Sequence, residues 1–84
     1  MLHIIVERNF ATPLTDAELK ATEARMMPCL DLYRVRWIRS YWSADRRRMI
    51  CEYEAPDAAS VKSVQREAEA AFDRVWSAEV LGEP

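Results

Sequence analysis

His3 and Glu7 stand in a run, Leu2 to Asn9, whose β-branched residues favour an extended strand. Side chains alternate along a strand, so His3, Ile5 and Glu7 share one face while Leu2, Ile4 and Val6 share the other. A second strand-like run, Arg48 to Ala55, places Glu52 and Glu54 on the face opposite Met49, Cys51 and Tyr53. An imidazole with one or two carboxylates is a donor set for nickel, zinc or another borderline divalent ion. The metal candidates are His3, Glu7 and Glu54, with Glu52 beside them. A single histidine and no Cys-x-x-Cys pair make one subunit a weak transition-metal site, and a dimer could share one. Ordinary surface chemistry is the competing account. His3 is near the chain start, Glu7 has arginines to pair with, and Glu54 falls at a strand end.

Trp37, Tyr41 and Trp42 form an aromatic cluster on the strand before the turn. Rings of this size commonly fill cores and interfaces. The alternative is a pocket wall for a flat or apolar small molecule, with Trp37, Tyr41 and Glu52 as the ligand-binding candidates. If that pocket were catalytic, Tyr41 and Glu52 would be its general acid and base. Cys51 has no base to activate it, because alternation puts His3 on the opposite face, so it reads as a buried, inert thiol. One glycine excludes a phosphate-cradling glycine loop and a nucleotide fingerprint, and no Ser-His-Asp arrangement is read around the single histidine.

These groups must be positioned by a chain of 84 residues, the length of one domain. A chain this short buries only ~60–65% of its unfolded surface, yet half its residues are hydrophobic. The surplus apolar surface points to a homodimer. A net charge of −2 argues against nucleic-acid binding. The run Arg46-Arg47-Arg48 reads as a solvated turn or, alternatively, as a contact for an anionic ligand or acidic partner. Cys29 and Cys51 lack metal-type spacing and suit a reducing compartment. No stretch approaches the ~20 apolar residues of a membrane span, and no basic segment with a cleavage site opens the chain. The expectation is a cytoplasmic protein without a membrane anchor.

Helix signals separate the strands. Thr15-Asp16-Ala17-Glu18 is a capping box. Leu19, Glu23, Met26 and Leu30 then follow helical spacing to about residue 31, with Glu23 interrupting the stripe and Thr22 as an inward alternative. Pro28 should kink or end this helix near Met27. Tyr33 to Ser43 and Arg48 to Ala55 predict a hairpin with Ser-Ala-Asp-Arg-Arg at its tip. Asp57 caps a second helix whose stripe is Val61, Val64, Ala68 and Phe72. Arg74 to Leu81 predicts a last strand, and Gly82 and Pro84 end the chain. This βαββαβ order is the ferredoxin-like α+β pattern: a four-stranded antiparallel sheet with two helices on one face. His3, Ile5, Glu7, Ile50, Glu52 and Glu54 then share the uncovered, mixed face, which a second copy would bury.

With the elements in order, Ile5-Val6-Glu7-Arg8, Trp37-x-x-Ser40-Tyr41, Asp45 and Cys51-x-Tyr53-Glu54-Ala55-Pro56-Asp57 resemble a small bacterial family. Its members are mostly filed as a domain of unknown function, and some are labelled nickel-binding. The resemblance spans residue 3 to about residue 80. It implies a ferredoxin-like fold dimerising through its sheets into an α/β barrel, with nickel as the named cofactor. The chain departs from that family where relatives carry a second-helix His followed by Gly-Phe-Pro; here stand Val64 and the stretch Glu69 to Asp73. A site built on that His would be lost. The expectation is a small homodimer binding nickel, another divalent ion or an apolar small molecule in or beside the inter-subunit barrel. One alternative is a small cofactor-independent isomerase or monooxygenase-like enzyme of the dimeric barrel type; another is a purely structural or regulatory dimer.

Overall fold

The computed structural model describes residues 1–82, so Pro84, read with Gly82 as ending the chain, lies outside them. Six elements follow one another: β1 (Leu2–Asn9), α1 (Asp16–Leu32), β2 (Arg36–Trp42), β3 (Arg48–Ala55), α2 (Ala58–Glu67) and β4 (Arg74–Ala78). The strands form one sheet in the order β2-β3-β1-β4. Every neighbouring pair is antiparallel. This is the expected βαββαβ architecture, with β1 and β3 adjacent and central.

Local chemistry sets where the helices begin. Thr15 Oγ1 accepts from the Glu18 amide at 3.1 Å, and the Thr15 amide donates back to Glu18 Oε1 at 3.2 Å. Asp57 Oδ1 accepts from the Ser60 amide at 2.7 Å and from the Ser60 hydroxyl at 2.7 Å, and these bonds hold its carboxyl below the usual carboxylate range. Both helices close alike. Arg34 and Glu69 take left-handed φ values of 58° and 55°. The next amides, Val35 and Ala70, then reach back to Leu30 O and Gln65 O at 2.9 and 2.8 Å.

Several sequence expectations need correction. Pro28 lies inside α1, which runs on to Leu32. The turn tolerates it because a proline deletes one donor without preventing later bonds: Tyr33 N still reaches Cys29 O at 3.1 Å. Phe72 is not helical, since the left-handed turn at Glu69 ends α2 first, although its ring still packs on the core. β4 stops at Ala78 rather than Leu81. Ala78 pairs with His3, and β1 begins one residue before that, so the strand runs out of template. β2 starts at Arg36 rather than Tyr33, because residues 33 to 35 are used in closing α1.

The core lies between the helices and one sheet face. Ile4, Val6, Met49, Cys51 and Tyr53 are buried there with Val61 and Val64 of α2. Leu2, expected in that set, is exposed at the sheet's end. α1 contributes only Met26 as a buried residue, so it covers its part of the sheet loosely. The Arg46–Arg48 turn does structural work: Phe10 N bonds Arg47 O, Leu14 N bonds Arg46 O, and the Arg47 guanidinium bonds Ala11 O. Arg46 also stacks 3.9 Å above the Trp42 ring.

Candidate functional site

The sheet face turned away from the helices carries His3, Ile5 and Glu7 from β1 and Ile50, Glu52 and Glu54 from β3. Antiparallel register sets His3 opposite Glu54, Ile5 opposite Glu52 and Glu7 opposite Ile50. The side chains that meet are on a diagonal: His3 Nε2 lies 3.2 Å from Glu52 Oε2. Both are largely sheltered, with side chains 19% and 16% exposed. Arg39 of β2 approaches the same carboxylate oxygen at 3.7 Å.

Glu7 and Glu54, also read as metal candidates, have other partners. Glu7 Oε2 accepts from the Trp76 indole of β4 at 2.7 Å. Glu54 forms an ion pair with Arg36 of β2. Among the described residues, no three His, Cys, Asp or Glu side chains gather where they could hold one ion. The structure therefore brings His3 and Glu52 together and draws Glu7 and Glu54 towards opposite edges of the sheet.

The aromatic cluster is divided between the faces. Strict alternation would put Trp37, Arg39 and Tyr41 on one side. A register irregularity between Trp37 and Arg39 reverses this, because a bulge inserts one residue and changes the parity. Trp37 faces the helices, and its indole donates to Ser40 Oγ at 2.9 Å. Tyr41 pairs with Ile50 and stays on the open face, diagonal to Glu52. Tyr41 and Trp76 are 56% and 46% exposed there, so the open face presents two aromatic side chains around the His3–Glu52 pair.

Sequence reasoning passed over Arg8 as a functional group. It shares the core face with Ile4 and Val6, and it is buried. A lone charge on an apolar stripe was the available signal. Its guanidinium donates to Ala71 O at 2.9 Å, Gln65 Oε1 at 2.5 Å and the Tyr53 hydroxyl at 3.4 Å. Burial of Tyr53, and then the neighbouring Cys51, push its phenol up to about 12 despite Arg8 beside it.

These features define a ferredoxin-like α+β domain whose open sheet face bears a histidine–carboxylate pair. The chain belongs to the SCO4226-like family: the model described as nickel responsive protein SCO4226-like matches residues 5–77. Its fold is similar to that in the crystal structure of SCO4226 from Streptomyces coelicolor A3(2), with a TM-score of 0.83. The two share 15% sequence identity over 95% of this chain and 99% of that one, a likeness of fold alone. Among curated proteins, none matches this chain. No described helix is long and apolar enough to cross a membrane.

Proposed function

We propose that this protein binds a divalent metal ion, nickel by its family, on the open face of the sheet, and that the bound form is a homodimer closed over that face. The observation that carries this is the His3–Glu52 pair. Donors bound at ~2.1 Å to one ion sit roughly 3 Å apart when they occupy neighbouring positions, and Nε2 and Oε2 are 3.2 Å apart. An imidazole and a carboxylate are also the donor types a borderline ion accepts. His3 Nε2 and Glu52 Oε2 would hold the ion. Glu7 and Glu54 would join only by leaving Trp76 and Arg36, so the remaining positions fall to water or to a second copy.

The dimer is supported by the character of the face. Tyr41 and Trp76 stand largely exposed there with Ile50 partly so, beside the buried Ile5; a second copy of the same surface would cover them. Trp37, turned to the helix side, has no part in this site.

Calorimetric titration of the metal-free protein with nickel tests the reading. Saturable heat is expected in the parent chain, with strong loss in His3→Ala and in Glu52→Gln. Light scattering should give a dimer, and Tyr41→Asp should favour the monomer by placing a charge in the interface. Absence of both heat and any change in melting temperature with nickel or zinc would end the metal reading. A monomer at every concentration would end the dimer.

A further inference from the structure

A cleft of about 110 Å³ opens on the other side of the sheet, between α1 and strands β1, β3 and β2. Met26, Leu30, Met49 and Trp37 make its walls mostly apolar. Arg8 lies in its lining, as does Tyr53. Trp37 and Met27 line the same cleft, and both remain exposed. The cleft exists because α1 sends only Met26 fully into the core, leaving the sheet beneath its outer side incompletely covered.

The charge balance around Arg8 is unusual. Its acceptors are an amide oxygen, a phenol and a backbone carbonyl, all neutral. Among the described residues, no carboxylate oxygen comes within 4.0 Å of its guanidinium. A buried cation is ordinarily matched by an anion, because desolvation is costly and neutral dipoles offset it only in part. The group beside it carries an unpaired donor. Gln65 is fully buried, and because its Oε1 accepts from Arg8, its Nε2 is left as a donor with no acceptor among the described residues. Arg8, with no carboxylate beside it, lines an apolar cleft open to solvent, and the unpaired Gln65 donor lies behind it, outside the lining.

We infer that this cleft binds a small organic monocarboxylate, its head group drawn to Arg8 and its apolar body lying against Met26, Met49 and Trp37. An inorganic anion would leave the apolar walls unused, and a neutral apolar molecule would leave Arg8 without its counter-charge. Glu23 lines the mouth and opposes anion entry, which keeps affinity modest and provides a control that leaves the core untouched. The site is separate from the open face and independent of any metal there.

Octanoate is a suitable probe, followed in the full chain by the indole N–H resonance of Trp37, identified with Trp37→Phe. A saturable shift is expected with octanoate, and a much weaker response with 1-octanol or inorganic phosphate. Arg8→Met should weaken octanoate by about tenfold or more, as loss of one charge-assisted contact implies. Glu23→Lys, on the exposed surface, should tighten it by roughly two- to fivefold, so the inference stays testable even if Arg8→Met folds poorly. His3→Ala should leave octanoate binding unchanged, which separates this site from the metal reading. No saturable shift at millimolar octanoate, equal binding of octanol, or indifference to Glu23→Lys would each overturn it.

Discussion

The contact between Arg8 and Gln65 gives the sharpest test of how this core is built. Arg8 Nη2 donates to Gln65 Oε1 at 2.5 Å, between two residues that are both buried. Gln65→Leu removes a hydrogen bond to a charged group, worth roughly 1.5–3 kcal/mol, but also deletes the Nε2 donor that has no acceptor, recovering about 1 kcal/mol. The net loss should be about 0.5–2 kcal/mol, which for a domain of this size lowers the melting temperature by roughly 2–15 °C. Arg8→Met strands Gln65 Oε1 and Ala71 O without donors and should cost about 1–3 kcal/mol. In the double variant, the cation and its main acceptor leave together, so neither is stranded. Its destabilisation should fall short of the summed single effects by about 1 kcal/mol or more. Equilibrium urea unfolding followed by tryptophan fluorescence measures all four proteins, and an unchanged slope against denaturant shows that the comparison is sound. Additivity within about 0.5 kcal/mol would refute the reasoning, because it would mean that Arg8 and Gln65 contribute independently.

Further outcomes follow from other contacts. Thr15→Ala removes the hydroxyl half of the capping box and should cost about 1 kcal/mol in urea unfolding. Glu69→Gly should raise stability by about 1 kcal/mol, because a side chain with φ at 55° bears a steric cost that glycine lacks; a lower melting temperature would contradict this. Tyr53 has its folded pKa raised from 10.0 to about 12, so the folded state holds the phenolic proton more tightly. Its contribution is complete below pH 10.0 and declines as pH rises through about 12, a loss of roughly 3 kcal/mol. Urea midpoints measured across the alkaline range should fall in the parent chain and fall less in Tyr53→Phe.

Much of the fold is legible in short stretches of sequence. The Thr15–Glu18 box and the Asp57 cap mark helix starts because each reads only residues three positions away. The alternation of Arg48 to Ala55 is reproduced residue by residue in the buried and less buried positions of β3. The ends of elements were harder to place. β4 stops where β1 stops offering partners, and α2 is closed, two residues past its end, by a left-handed Glu69 with no glycine there to announce it.

The candidate sites divide along the same line. His3 and Glu52 could be placed on one face from alternation, yet their contact at 3.2 Å depends on a register between strands 49 positions apart. Strict alternation would place Trp37 with Tyr41, but one irregular position between Trp37 and Arg39 exchanges the faces, and no residue type in that stretch signals a bulge. Arg8 looked like part of a motif until Tyr53, Gln65 and Ala71 were brought to it from 45, 57 and 63 positions along the chain. Helix caps, periodicity and element order are local properties of neighbouring residues, and so they are written in the chain itself. Whether a charge meets a carboxylate, an amide or an open cleft is a property of chain segments brought together by packing, and that became visible only in the folded molecule.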